Sequence, residues 1–169
     1  MGAREQVTPE SAGIFDTWMQ QALIEARRAG ESGDVPIGAV VVDAEGNVLS
    51  AAGNRREVDH DPTAHAEILS MRDASQTLGD WRLSGCTLVV TVEPCPMCAG
   101  AAVLSRIDRL IIGAWNDDYG AAGSRWDLVR DRRLNHQVEV VSGVRADECS
   151  ALVREFMADQ RMNGGAPSA

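Results

Sequence analysis

Residues 86–104 read CTLVVTVEPCPMCAGAAVL, and this stretch decides the fold class that the sequence predicts. The run from Cys86 to Val92 is rich in β-branched residues, which favour a central, buried strand. Proline is well tolerated in the first turn of a helix, so we expect a helix to begin near Pro96 and to run to Ser105. A buried strand that passes directly into a helix indicates an α/β protein.

The rest of the chain continues this alternation of strands and helices. The spacing of apolar residues predicts helices over residues 14–29, 64–78 and 147–160, and Gly30 is expected to end the first of them. Short apolar runs predict strands over residues 37–42, 48–52, 109–113 and 138–141. Residues 54–62 are polar and are expected to form a loop. The alternation points to an α/β sandwich with a largely buried sheet.

Composition and charge narrow the class of protein. The 169 residues predict a single domain over 1–169, with flexible ends at 1–12 and 163–169. No apolar run approaches the roughly 20 residues that a membrane span needs, and the N-terminus has no signal-peptide core, so we expect a cytoplasmic protein without membrane contact. The sequence contains no lysine, which excludes a Schiff-base or Walker-type lysine. A net charge of -9 counts against a nucleic-acid partner, although the distribution of charge matters more than its sum.

Two cysteines and a histidine form the pattern that carries the chemistry. Cys95 and Cys98 are three residues apart on a predicted helix and share one face, while His65 stands at the start of another helix. Three protein ligands leave zinc a fourth, open position, which is typical of a catalytic site. Zinc in such a site lowers the pKa of bound water to about 7 and makes a nucleophile at neutral pH. Glu67 is placed to transfer protons without ligating the metal.

His-x-Glu followed by Pro-Cys-x-x-Cys is the known signature of zinc deaminases that act on nucleobase amines. Beyond that signature, the chain resembles the bacterial tRNA-specific adenosine deaminases of the cytidine/deoxycytidylate deaminase superfamily. The segments shared with other deaminases of this fold are VPIGAV at 35–40, DPTAHAEI at 61–68 and EPCPMCAGA at 93–101. The segments that resemble the tRNA enzymes specifically are GAAGS at 120–124, NH at 135–136 and ADEC at 146–149.

This resemblance implies a fold, a cofactor and a reaction. The implied fold is a cytidine-deaminase-like, three-layer α/β/α sandwich with a five-stranded mixed sheet. The implied cofactor is one zinc per chain, held by His65, Cys95 and Cys98, with Glu67 as the proton shuttle. The implied reaction is the hydrolytic conversion of the wobble adenosine in the tRNA anticodon arm to inosine, carried out by a homodimer with sites near the subunit interface.

The resemblance also assigns substrate contacts. Asn54 matches an asparagine that contacts the target nucleoside. Val35, Pro36 and Ala64 match the pocket wall and the backbone near the base. The family usually has an aspartate near the target ribose at the position that Asn116 occupies here. An aspartate only accepts hydrogen bonds, whereas an amide can both donate and accept them.

Two groups of arginines are open to two interpretations. Arg55 and Arg56 stand next to Asn54, and a second group lies before the last predicted strand, comprising Arg130, Arg132 and Arg133. Either group could contact RNA phosphates or form a solvated surface. For the second group, Asp127 and Asp131 interleave with the arginines and favour the solvated interpretation.

Two other functional classes compete with tRNA deamination. The same chemistry could act on a free nucleobase or nucleoside, of the guanine or cytosine type, and the acidity of the chain favours this alternative. The chain could also be a non-catalytic, zinc-stabilised interaction module. Glu67 argues against the module, because a structural zinc needs no adjacent general base and usually has four protein ligands.

Overall fold

A five-stranded sheet forms the centre of the protein, whose computed structural model describes residues 9–162. In chain order the elements are α1 (Pro9–Glu31), β1 (Gly38–Val42), β2 (Val48–Gly53), α2 (Arg56–Asp59), α3 (Ala66–Leu78), β3 (Thr87–Val92), α4 (Pro96–Leu104), β4 (Arg109–Ala114), β5 (Glu139–Ser142) and α5 (Ala146–Met162). The strand order is β2-β1-β3-β4-β5. β1 pairs antiparallel with β2 and β3, whereas β4 pairs parallel with β3 and β5, so the expected mixed sheet is confirmed.

Successive residues of a strand point to opposite faces of the sheet. Helices cover both of these faces. On one face, Val40 of β1 belongs to the same apolar cluster as Leu23 of α1 and Cys149 of α5. On the other face, the cluster that contains Val41 is covered by α3 and α4. The three-layer α/β/α sandwich is therefore confirmed. In the described residues, no helix combines the length and the apolar character that crossing a membrane requires.

Helix α1 is longer than the sequence predicts. It begins at Pro9, so residues 9–12, which were expected to be flexible, are helical; residues 1–8 and 163–169 lie outside the described residues. The prediction that Gly30 ends the helix is wrong, because α1 continues to Glu31 and the left-handed conformation falls on Gly33, with φ 88°. Gly30 instead allows Pro36 to pack closely against α1, since a Cβ at residue 30 would lie 3.3 Å from Pro36 Cβ.

The predicted loop over residues 54–62 contains the one-turn helix α2. Its cap comes from outside the segment: the carboxylate of the buried Asp34 accepts hydrogen bonds from the backbone N–H groups of Glu57 and Val58, both at 3.1 Å. A carboxylate that accepts first-turn N–H groups stabilises a helix N-terminus. Because this cap lies more than twenty residues upstream, the local sequence gave no sign of the helix. The other elements match their predictions to within about two residues.

Helix α1 crosses the sheet at a glycine that permits direct backbone contact. A Cβ built on Gly38, the first residue of β1, would overlap the carbonyl oxygen of Ala22 and would lie 2.6 Å from the backbone nitrogen of Ala26. Neither obstacle is a movable side chain. The separation between α1 and the sheet therefore depends on the absence of a side chain at residue 38.

Replacing Gly38 with alanine should destabilise the protein. Forcing extra volume into such a contact costs about 1–3 kcal/mol or more, so the midpoint of urea unfolding should fall. Gly13→Ala, in helix α1, is the matched control. A methyl group there meets nothing within 4 Å, and alanine is favoured over glycine in a helix by roughly 0.5–1 kcal/mol. A Gly38→Ala protein as stable as the wild type would refute this account of the packing.

Candidate active site

One edge of the sheet collects the predicted metal ligands and the predicted substrate contacts. Gly38 at the start of β1 pairs with Gly53 at the end of β2, and Val92 at the end of β3 pairs with Ala114 at the end of β4. The antiparallel pairing of β1 with β3 places these four strand ends on the same side. The segments that leave or enter the sheet here carry the predicted metal ligands and the predicted substrate contacts.

Two helices begin at this edge, and their N-cap positions are occupied by metal-ligating residue types. His65 is the N-cap of α3 and Cys95 is the N-cap of α4, both with extended backbone conformations. Neither side chain makes a capping hydrogen bond to its own helix, so the imidazole and the thiol remain available for other contacts. Cys98 lies in the first turn of α4 and shares a face with Cys95.

The donor atoms of these three residues form a compact cluster. The Sγ atoms of Cys95 and Cys98 lie 3.7 and 3.6 Å from Nδ1 of His65, and all three donor atoms lie within 4.8 Å of one another. Tetrahedral zinc, with bonds of about 2.3 Å to sulfur and about 2.0 Å to nitrogen, requires a sulfur–nitrogen separation of about 3.5 Å. Both the spacing and the soft donor set therefore fit zinc.

The two thiols have opposite acidities in this cluster. A hydrogen bond from Cys98 lowers the pKa of Cys95 to about 4, whereas the same hydrogen bond, together with burial, raises the pKa of Cys98. Zinc ligation requires both thiols as thiolates, so metal binding must be accompanied by loss of the proton that the raised pKa of Cys98 favours.

Glu67 is the acidic residue at the cluster. It lies in the first turn of α3 and is only 4 % exposed. Burial raises the pKa of its carboxyl to about 7. A carboxyl with a pKa near 7 can take up and release a proton at neutral pH, which is the property that a general acid–base needs.

Comparison with known proteins identifies this combination. The family model for the cytidine and deoxycytidylate deaminase zinc-binding region matches residues 15–114. The chain belongs to the cytidine and deoxycytidylate deaminase family. The protein is accordingly a zinc-dependent hydrolytic deaminase, and the zinc expected from the sequence is confirmed as its cofactor.

Individual relatives refine this assignment. The tRNA-specific adenosine deaminase of Bacillus subtilis is 46% identical over 146 residues, which cover 86% of this chain and 90% of that protein. A solved tRNA:A34 deaminase, which edits adenosine to inosine at the wobble position, is 43% identical with a TM-score of 0.78, covering 80% of this chain and 98% of that one. A guanine deaminase from Nitrosomonas europaea is 26% identical with a TM-score of 0.74, covering 85% and 84%. The predicted resemblance to tRNA-specific adenosine deaminases is confirmed.

Four of the predicted substrate contacts lie together in the deaminase. The backbone N–H of Asn54 donates to the carbonyl of Ile37 at 2.9 Å, which holds Asn54 beside the segment that contains Val35 and Pro36. The N–H of the next residue, Arg55, donates to the carbonyl of Ala64 at 3.0 Å. Because Ala64 precedes His65, these hydrogen bonds connect the predicted pocket wall to the metal ligands.

A buried aspartate that the sequence did not single out orients Asn54. Nδ2 of Asn54 donates to Oδ1 of Asp34 at 3.0 Å, and both side chains are at least 95% buried, with exposures of 5% and 0%. The amide is therefore fixed with its oxygen and its second N–H free of this contact. No local motif marks Asp34, because its two partners, Asn54 and α2, lie about twenty residues further along the chain.

Asn116 lies across the sheet edge from Asn54, in the loop that follows β4. Its Oδ1 accepts hydrogen bonds from the backbone N–H groups of Asp118 and Tyr119, at 3.2 and 3.1 Å. The amide oxygen is thus engaged within the loop, whereas Nδ2 takes no part in these two hydrogen bonds.

The arginines considered as phosphate contacts are mostly engaged with carboxylates. Arg55 makes two hydrogen bonds to Asp59, at 2.8 and 2.7 Å. Arg130 pairs with Asp127, and Arg133 pairs with Asp131. An arginine held in this way must release its carboxylate, or share it, before it contacts a phosphate. These groups therefore contribute less positive potential than their number suggests.

Removing both thiols should remove the zinc. We expect about one zinc per chain in the purified wild-type deaminase and almost none in the Cys95→Ala, Cys98→Ala double variant, because a single imidazole cannot hold the ion. Elemental analysis measures the content. Cys86→Ala, Cys149→Ala is the matched control, since both of these cysteines are buried away from the cluster. A full zinc complement in the first double variant would show that the metal binds elsewhere.

Proposed function

We propose that this deaminase converts the wobble adenosine of a tRNA anticodon arm to inosine. The observation that carries the proposal is the 46% identity, over nearly the whole length of both proteins, to a tRNA-specific adenosine deaminase. The similarity to a guanine deaminase is much lower, at 26%. The proposal includes a single deaminase domain over residues 1–169 and a cytoplasmic location, where tRNA is modified.

We assign the chemical roles within this proposal by residue. His65, Cys95 and Cys98 hold the zinc, which supplies a water nucleophile at neutral pH when bound. Glu67 takes a proton from the attacking water as the oxygen bonds to C6 of adenine, and delivers it to the ring nitrogen N1. The remaining proton of the new C6 hydroxyl passes through Glu67 to the exocyclic nitrogen, the C6–N bond breaks as the C6–O bond becomes a carbonyl, and ammonia leaves. One buried carboxyl with a pKa near 7 suits each of these transfers.

The pocket residues fit a base that has left its stack. The half-buried Val35 and the buried Pro36 and Ala64 offer an apolar wall, while Asn54 offers amide groups that Asp34 holds in place. Asn116 offers a donor from the opposite side of the sheet edge. An anticodon loop presents unstacked bases, so the target adenosine can enter such a pocket without disruption of a duplex.

Deamination of free guanine is the second candidate. Two observations favour it: the solved guanine deaminase shares the fold with a TM-score of 0.74, and the net charge is -9, with the candidate phosphate-binding arginines largely paired. Neither observation bears on the chemistry at zinc, which is common to the two reactions. A direct comparison of substrates therefore separates the candidates.

The substrate test uses a stem-loop with adenosine at the wobble position, alongside free adenine, guanine, cytosine and their nucleosides. We expect ammonia release from the stem-loop to exceed that from every free compound by at least about a hundredfold in kcat/KM, because contacts remote from the reacting base contribute to the transition state. Efficient turnover of guanine with no reaction of the stem-loop would replace the proposed function by the second candidate.

Glu67→Gln provides the active-site control for that assay. The variant should retain zinc and fold but lose roughly 10²–10⁴ in rate, the usual contribution of a positioned general acid–base. Glu45→Gln is matched to it, because Glu45 is an exposed acid in the β1–β2 turn at the opposite edge of the sheet. Near-normal turnover by Glu67→Gln would place the proton transfer on another group.

We also propose a homodimer in which α4 contributes to the interface. The helix is rich in small residues, which allow close approach, and its Met97 and Leu104 are 37% and 64% exposed. Light scattering at micromolar concentration should give twice the mass of one chain for the wild type and the mass of one chain for Leu104→Glu. Ile24→Glu, on α1 at the other face of the sheet, should remain dimeric. A monomeric wild type would exclude the assembly.

A further inference from the structure

A buried carboxylate between β3 and the zinc ligands closes the loop that follows β4. Glu93 is 2% exposed and is separated from Cys95 by one residue. Its Oε1 accepts hydrogen bonds from the backbone N–H groups of Ala122 and Ser124 at 2.9 and 3.0 Å, and its Oε2 accepts one from Asn116 at 3.0 Å. One carboxylate thus binds both ends of the segment 116–124.

The segment is folded so tightly around Glu93 that a side chain cannot be accommodated at its centre. A Cβ on Gly120 would overlap Oε2 of Glu93, Oγ of Ser124 and the carbonyl oxygen of Asn116. A further hydrogen bond, from the N–H of Ala121 to the carbonyl of Pro94 at 2.9 Å, attaches the segment to the residue next to Cys95. The glycine is therefore required by close approach to the carboxylate.

These contacts connect the metal centre to a substrate contact through a short, rigid path. Cys95 follows Glu93 by two residues, and Asn116 is bonded directly to the Glu93 carboxylate. Charge-assisted hydrogen bonds to an ionised carboxylate are roughly twice as strong as neutral ones, and here they are shielded from water. Glu93 therefore contributes, together with the pairing of β3 and β4, to the placement of Asn116 relative to the zinc ligands.

We propose that Glu93 is a positioning residue for substrate binding: its carboxylate holds the loop 115–124 so that Asn116 faces the reacting base, without touching substrate or metal itself. The inference rests on the proposed function, because it takes Asn116 as a substrate contact. Because Glu93 orders the loop before the substrate binds, substrate binding does not have to supply the free energy of ordering it.

Glu93→Gln tests this role. Glutamine has the same shape but a single acceptor oxygen, so at least one of the three loop N–H groups loses its acceptor. We expect KM to rise about tenfold or more with kcat changed less than about threefold, because the loss falls on binding rather than on chemistry. Zinc content should stay at the wild-type level. Amide hydrogen exchange at Asn116, Ala122 and Ser124 should accelerate by about tenfold or more.

Two further variants complete the design. Gly120→Ala displaces the same carboxylate contact without a change of charge, and it should raise KM in the same way; combined with Glu93→Gln it should add little, since both variants break one contact. If Glu93→Gln fails to fold, Gly120→Ala decides the test. Glu139→Gln is the matched control, because its partly exposed carboxylate bonds to Arg109 on β4, away from the loop, and it should keep the wild-type KM.

The outcomes separate this inference from the proposed function. Kinetics are measured with both the wobble-adenosine stem-loop and guanine. A wild type that acts only on guanine overturns the tRNA assignment, but the KM values of the wild type and the variants for guanine still decide the role of Glu93. An unchanged KM in folded Glu93→Gln and Gly120→Ala proteins would overturn the positioning role. Loss of zinc from Glu93→Gln would overturn it too, since Glu93 would then support the metal centre.

Discussion

The position of β3 between β1 and β4 is the constraint on which the site depends. β3 is buried at every residue and runs antiparallel to β1 but parallel to β4. The chain therefore leaves β3 and β4 at the edge where it enters β1 and leaves β2. Cys95 comes only three residues after the end of β3, so the sheet itself fixes the first thiol, and α4 fixes the second one turn later.

The metal centre takes positions that a helix normally gives to capping residues. Serine, threonine, aspartate or asparagine at an N-cap stabilises a helix by about 1 kcal/mol, whereas here His65 and Cys95 occupy the caps and do not bond to their helices. The exposed N–H groups of a first turn favour negative charge nearby. The partial positive charge of these N-termini favours the thiolate forms of Cys95 and Cys98. It also favours the ionised form of Glu67, whereas burial has the opposite effect and raises the pKa of that carboxyl to about 7.

The sequence predicted the structural features that depend on residues close together in the chain. It did not predict the features that depend on contacts between residues far apart in the chain. The i, i+3 separation of Cys95 and Cys98, the apolar strands and the start of α4 at Pro96 are local properties, and the structure has them where they were expected. Helix α2 was missed because Asp34 caps it from the other side of the hairpin. Gly30 and Gly120 are likewise understood only through the chain that packs against them. The contact between Glu93 and loop 115–124 belongs to the same class.

The family region contains the chemical groups of the site and part of the proposed substrate pocket, but not the loop that follows β4. The family model ends at residue 114, the last residue of β4, and therefore contains the zinc ligands, Glu67 and Asn54 but not the loop 115–124. The loop begins with exposed Trp115 and continues through Asn116, whose amide oxygen is engaged within it. Because Glu93 lies within the family region and accepts hydrogen bonds from three N–H groups of the loop outside it, a single buried carboxylate fixes the loop to the segment that leads to Cys95.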